Sequence, residues 1–184
     1  TPEMRRKAKE VNFGVLYGMR AYGLAERTEI SREEAKEFID KYFSIHHGIK
    51  KYIDNLVELA KEKGFAQTLF GRIRYLPEIV SGVPQIRAAA ERMAINMPIQ
   101  GTAADLIKMA MIKLFKTLEK QGENQAKLML QVHEELVLEV KDEAVDRMAH
   151  VVKDNMEHVA SFKAPIEVKI AQGKNWGELK EIKN

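Results

Sequence analysis

The stretch Arg5-Arg6-Lys7-Ala8-Lys9-Glu10-Val11-Asn12-Phe13-Gly14-Val15-Leu16-Tyr17-Gly18 places Arg5, Lys9, Phe13 and Tyr17 at four-residue spacing. A helix advances about 100° per residue, so positions four apart drift by only about 40° and the four side chains form one gently winding strip. Two cations at its start suit a phosphate chain, Arg through a planar fork and Lys as a point charge. The aromatics that follow offer flat faces to a sugar or a base. The same spacing also suits aromatics on a core face beside cations on a solvated one, and on this stretch alone both readings stand.

Composition narrows the setting. With 184 residues and 45% hydrophobic content, the chain has enough apolar material for one domain or two tightly joined lobes. A charged fraction of 31% with a net charge of +3 excludes disorder as the main state, and so small a net charge does not announce nucleic-acid binding. The local distribution says more. Within residues 1–20, Arg5, Arg6, Lys7, Lys9 and Arg20 stand against Glu3 and Glu10, so five minus two leaves +3 beside the opening strip. Cysteine is absent, which removes disulfides and thiolate metal sites. No apolar run approaches membrane-spanning length and no signal-peptide pattern opens the chain, so the expectation is a soluble intracellular protein, cytoplasmic or nucleoid-associated and not secreted.

Along the chain, Thr1-Pro2-Glu3 reads as an N-cap, a proline at the first helical position and a favourable first-turn acid, starting a helix that Gly18 ends. A short helix is expected over Leu24–Thr28. Ser31 and Glu34 form a capping box for a helical stretch that reaches Gly64 with an interruption over Ser44–Gly48. Residues 65–79 read as a small hairpin turning on Gly71. A helix follows from Pro84 with Ile86, Ala89, Ala90, Met93 and Met97 on its apolar face, and Pro98 is expected to break it. Thr102–Lys120 is apolar on most sides and reads as a largely buried helix stopped by Gly122. A second hairpin is expected over 127–141, an amphipathic helix over Asp142–Ser161, and a final strand over Pro165–Ala171. Helices first, then β-α-β, gives an α+β class.

Two further places carry chemistry. Arg92 and Asn96 share one helix face, which serves either as an ordinary polar surface or as a binding edge. The tip of the second hairpin is His133-Glu134, followed by Glu135. Two-residue turns favour Gly, Asn or Asp, so His-Glu breaks the local rule, as functional tips do and as a shifted or longer loop would also explain. A zinc-protease reading fails because Val137 stands where the second His of H-E-x-x-H belongs. No phosphate loop or dinucleotide fingerprint is present, and His46-His47 reads as surface rather than as metal ligands.

The opening stretch resembles the fingers helix of the family A DNA polymerases, the DNA polymerase I family, whose Arg, Lys and Tyr-Gly are met by Arg5, Lys9, Tyr17 and Gly18. Gly71-Arg72-Ile73-Arg74-Tyr75-Leu76-Pro77, the run Arg87–Ala104, Gln131-Val132-His133-Glu134-Glu135-Leu136 and Gly173-Lys174-Asn175-Trp176 are similar to that family in the same order. The resemblance covers essentially the whole chain. It implies a helical fingers-like subdomain over 1–97, with its small hairpin near 65–77. The C-terminal part of an antiparallel palm sheet with packed helices would follow over 98–184. The activity it implies is DNA-directed DNA polymerisation.

The implied roles run residue by residue. Arg5 and Lys9 would bind the triphosphate of an incoming dNTP, with Lys9 also catalytic. Phe13 would pack on the sugar, and Phe at that position implies discrimination against dideoxynucleotides. Tyr17 would stack at the template position, taking part in both dNTP and DNA binding, while Gly18 would let the template pass closely. Arg92, Asn96 and Gln100 would reach the minor-groove side of primer–template DNA, and His133 the primer end. Glu134 and Glu135 would be the catalytic carboxylates of a two-ion Mg²⁺ site. The family has Asp where this chain has Glu134, which moves that carboxylate one methylene outward, and in-line chemistry is sensitive to shifts near 1 Å. The family's other palm Asp lies upstream of the fingers helix. The chain is therefore expected to supply only part of the Mg²⁺ site, to need a separate or missing N-terminal polymerase segment, and to be inactive alone. A non-catalytic DNA- or nucleotide-binding fragment is the alternative, with Glu134 in its favour. Either way, palm strands without their neighbours would leave apolar surface exposed.

Overall fold

In the computed structural model of the protein, Thr1 Oγ1 accepts the Met4 N–H at 3.3 Å and starts helix α1, Pro2–Leu16. Its end is a Schellman turn: Gly18 N–H donates to the Val15 carbonyl at 3.1 Å and Met19 N–H to the Gly14 carbonyl at 2.8 Å. Gly18 takes φ +84°, a left-handed conformation that costs a side-chain-bearing residue roughly 1–2 kcal/mol. The described residues are 1–28, 30–120 and 125–182. They divide into two compact units, Thr1–Thr102 and Ala103–Asn184.

In the first unit, α2 (Ala21–Thr28) begins three residues earlier than its sequence pattern indicated. Helix α3 (Arg32–Ile45) starts on the expected capping box: Glu34 N–H donates to Ser31 Oγ at 3.1 Å and Ser31 N–H to Glu34 Oε2 at 2.9 Å. The Ser31 backbone N–H, with the Ser31 side chain second, holds the Glu34 carboxyl below its ordinary range. The expected interruption falls at His46, and α4 (His47–Lys63) follows it. Val15, Leu24 and Ala35 are buried together, flanked by Val11, Ile39, Tyr42 and Phe43, which packs α1, α2 and α3 into one cluster. Burying a side chain such as Leu24 completely contributes roughly 1.5–3 kcal/mol.

The first hairpin pairs β1 (Phe65–Gln67) with β2 (Ile73–Tyr75) in the register Phe65↔Tyr75, turning through Gly71 at φ +90°. Leu76 and Ile79 follow it into a second core cluster with Ala60 of α4 and with Ala90 and Ala94 of helix α5, Pro84–Asn96. The small alanines let the helices approach closely, and they correct the apolar face expected for α5. Ile86 and Met93 are exposed, and the Met93 sulfur takes an Arg74 guanidinium N–H at 3.3 Å.

Pro98 does not break the helical run. Met97–Gly101 forms a π turn that leads directly into α6, Thr102–Lys120. The wider i→i+5 pattern shifts the hydrogen-bond register, so the donor that proline lacks is not needed at the usual place. The turn is wedged against the hairpin. A Cβ on Gly101 would come within 2.6 Å of Thr68 Cγ2, and Leu69 N–H donates to Thr102 Oγ1 at 3.0 Å.

The second unit contains the rest of α6, a hairpin and a further helix. Ile107, Ala110 and Leu114 of α6 are buried, but Ile112 and Phe115 are 57% and 56% exposed, so the helix is buried on one side only. Met129 and Leu130 are exposed as well, in line with the apolar surface expected from the sequence. Strands β3 (Ala126–Val132) and β4 (Glu135–Val140) pair antiparallel, with an irregularity between Leu128 and Leu130. Helix α7 is shorter than expected, Val145–Glu157, after a 3-10 turn at Asp142–Ala144. Met148, Ala149 and Val152 are buried, which gives the helix the apolar face its amphipathic pattern calls for. Thr117 Oγ1 donates to Asn155 Oδ1 at 3.0 Å, tying α6 to α7. Residues 165–170 are not a strand. Alternating Ile166, Val168 and Ile170 supply a half-buried face, but a ladder also needs a neighbouring backbone. Val168 N–H goes to Glu157 Oε1 instead, and pairing begins only at β5 (Ala171–Gln172) with β6 (Lys180–Glu181). The expected stop at Gly122 lies outside the described residues.

Ser31→Ala removes the α3 cap and is expected to lower stability by about 1 kcal/mol, read as a shift in the urea midpoint. Glu34 has a depressed folded-state pKa, so its contribution is present above the ordinary carboxylate range and lost as pH falls through the depressed value. The gap in stability between the parent and Glu34→Ala should therefore be constant near neutrality and close in acid. Gly18→Ala is expected to cost about 1–2 kcal/mol from backbone strain alone, on the same assay.

Candidate nucleotide and nucleic-acid interface

Helix α1 carries the opening strip on its exposed side. Arg5 and Lys9 are exposed and have no carboxylate partner among the described residues. Lys9 Nζ stands 5.8 Å from the centroid of the Phe13 ring, within reach of its negative face. The Phe13 and Tyr17 rings are nearly parallel, with an interplanar angle of 10° and centroids 6.2 Å apart. Phe13 is 44% exposed although it is a large aromatic in the middle of a helix. The opposite side of α1 supplies Val11 and Val15 to the core, so the periodicity leaves the strip unburied. A base slid between two faces needs about 7 Å, two carbon–carbon contacts, so the pair forms an offset ledge and not a clamp.

The C-terminal end of α1 is fixed on α5 and the π turn. Gln100 Nε2 donates to the Tyr17 hydroxyl at 2.9 Å. A Cβ on Gly18 would come within 3.3 Å of Ile95 Cδ1 and 3.4 Å of Arg92 Cγ, so Gly18 also allows this close approach. Arg20 pairs with Glu91 at 3.3 Å, and Lys61 of α4 reaches the same carboxylate at 3.9 Å. The structure thus brings Tyr17, Gly18, Arg92 and Gln100 together. Arg92 and Asn96 are exposed on α5, and Arg92 has no carboxylate partner among the described residues.

Beside this junction lies an open cleft of about 530 Å³, lined by Val15, Gly18, Phe43, Ile53, Arg92 and Ile95 among others. Sequence reasoning missed it, and missed Glu91 as the shared partner of two cations. These residues come from four helices far apart in the chain, and no spacing rule connects them.

His133, Glu134 and Glu135 lie in the second unit. The hairpin closes with Val132 paired to Glu135, which makes His133-Glu134 a true two-residue turn and not a longer loop. His133 takes φ 52°, the one non-glycine residue with positive φ among those described. His tolerates this region better than most side chains, and Gln131 Nε2 supports the turn by donating to the His133 carbonyl oxygen. Glu134 and Glu135 are exposed at the tip. Two divalent ions about 3.5–4 Å apart require oxygen ligands from more than one side. Among the described residues no group of three His, Cys, Asp or Glu could hold an ion, so the tip fits at most one side of a two-ion site.

Comparison with known proteins identifies the family. The model of DNA polymerase family A matches residues 1–178. The chain is 48% identical over 180 residues to DNA polymerase I of Caldicellulosiruptor bescii, covering 98% of this chain and 21% of that protein. It is 49% identical over 180 residues to DNA polymerase I of Bacillus caldotenax, covering 98% and 20%. The chain thus spans about a fifth of the length of these curated relatives. Among solved structures, it is similar to the POL domain of Pol1 from M. smegmatis, in complex with DNA primer-template and dNTP. There the TM-score is 0.86 and the identity 41%, over 91% of this chain and 29% of that one. With the fold, the order of its motifs and these relatives in agreement, the chain belongs to DNA polymerase family A.

Proposed function

We propose that the chain is the portion of a DNA-directed DNA polymerase that receives the incoming dNTP and the primer–template end. It contributes to nucleotidyl transfer when completed by the remaining palm and thumb. The observation that carries this reading is the exposed strip on α1, two cations without a carboxylate partner among the described residues, followed by an aromatic ledge. Arg5 and Lys9 hold the triphosphate, Phe13 lies against the sugar, and Tyr17 with Gly18 meets the template. Unpaired cations attract a polyanion without first giving up a carboxylate partner, and the ledge adds stacking that every base can use. Arg92, Asn96 and Gln100 meet the minor-groove side of the DNA, and His133 the primer end. The division of labour is a fingers-like part over 1–97 and a palm part over 98–184. The protein acts in the cytoplasm, where its template lies.

Glu134 and Glu135 are the carboxylates this portion brings toward a Mg²⁺ site, whose remaining acid comes from the N-terminal segment. Bound there, the ions would activate the primer hydroxyl and stabilise the leaving pyrophosphate. A second reading, a binding module without catalysis, is favoured by one observation: the tip carries Glu134 where the resemblance calls for Asp.

Arg5→Ala and Lys9→Ala are each expected to weaken binding of a fluorescent dNTP about tenfold, read by anisotropy at fixed salt. Binding to primer–template should fall steeply with salt and weaken roughly tenfold or more in Arg92→Ala/Asn96→Ala. Primer extension by the chain together with an N-terminal polymerase segment carrying the missing Asp decides between the readings. Extension is expected, and faster with Glu134→Asp. Its absence even with Glu134→Asp would leave the binding module.

A further inference from the structure

The bond between Gln100 and Tyr17 joins two side chains that the proposed function assigns to DNA. Gln100 sits in the π turn Met97–Gly101, and its Nε2 donates to the Tyr17 hydroxyl at 2.9 Å. A π turn inserted in a helix rotates the following side chains off the register a regular helix would give them, and such turns recur at functional sites. Here the turn is held from behind by the packing of Gly101 on Thr68 and by the Leu69–Thr102 bond, so the position of Gln100 is set independently of α1. Tyr17 is the C-cap of α1, and its ring lies parallel to that of Phe13. The carboxamide therefore fixes the lower ring of the aromatic ledge.

We infer that Gln100 is a latch on Tyr17: in the free protein its amide holds the phenol, and DNA entering the site takes that amide and releases the ring. The inference rests on the proposed reading that Gln100 and Tyr17 meet DNA. A carboxamide has two N–H donors on one nitrogen, and the geometry that points one at the Tyr17 oxygen constrains the direction of the other. A base edge that takes the N–H now held on the Tyr17 oxygen does so in exchange for the phenol. The exchange replaces one neutral hydrogen bond with another, so its net cost is small, and occupancy of the site by DNA is enough to drive it. Gln100 would then act as a positioning residue for Tyr17 in addition to any contact of its own. The aromatic ledge would be ordered in one way before DNA arrives and in another after it.

The test uses the chain as it stands, a labelled primer–template and the variants Tyr17→Phe, Gln100→Ala and the double variant. Tyr17→Phe keeps the ring and removes the latch, so it should tighten DNA binding about two- to tenfold, the equivalent of one neutral hydrogen bond. Gln100→Ala should weaken binding, and in its background Tyr17→Phe should have no further effect. In the free chain the side-chain amide signal of Gln100 in a nitrogen-15 NMR spectrum should shift on Tyr17→Phe, and adding DNA to the parent should also move it. Tyr17→Phe binding equal to or weaker than the parent, with DNA binding otherwise intact and salt-dependent, would overturn the latch alone. An unchanged Gln100 amide signal in free Tyr17→Phe would do the same. Absence of salt-dependent DNA binding by every variant and the parent would overturn the DNA-binding reading and the latch with it.

Discussion

The junction where α1 ends on α5 governs much of what the first unit can do. Gly18 closes a Schellman turn at positive φ and presents no side chain to Ile95 and Arg92, which lets the end of α1 lie against α5. Tyr17 and Arg20, on either side of that glycine, are then bonded to Gln100 and Glu91. With one side of α1 committed to Val11 and Val15 in the core, the cations and rings have a single face left to occupy. The exposure of Phe13 follows from this anchoring, since a helix held at its end and along one side cannot roll to bury a second side.

The two units solve different packing problems. In the first, small residues carry the close contacts: Ala60, Ala90 and Ala94 sit between helices, and Gly101 accepts Thr68 against the π turn. Small side chains bring little apolar area, so the packing depends on near approach and dispersion more than on bulk burial. In the second, α6 and α7 bury one face each and are tied through Thr117 and Asn155, while Ile112, Phe115, Met129 and Leu130 remain open. Open apolar groups of this size on a helix and a strand fit a portion that matches about a fifth of its relatives' length.

Local signals worked where the governing physics is local. The capping box of Ser31 and Glu34, the helix end at Gly18, the break at His46 and the turn at Gly71 each depend on bonds within a few residues. They failed where a distant partner decides. Pro98 was expected to stop a helix, but the tertiary wedge at Gly101 and Thr68 supports a π turn that carries the chain past it. Residues 165–170 alternate like a strand and lack a neighbour to pair with among the described residues. Met93 has the right spacing to be buried and instead lies exposed beside Arg74, because alanines fill the interface.

The sequence by itself determined the strip of Arg5, Lys9, Phe13 and Tyr17, the His133-Glu134 turn and the ordered motifs that mark family A. These are properties of spacing and of residue chemistry, which a linear chain carries in full. Only the tertiary structure decided that the strip faces outward, that Gln100 bonds Tyr17, that Glu91 serves both Arg20 and Lys61, and that a cleft opens beside Gly18. Tyr17 and Gln100 are 83 positions apart, and no periodicity relates residues at that separation. They meet because α1 and the π turn are each fixed by their own packing, and the distance between two separately fixed groups is set by the fold.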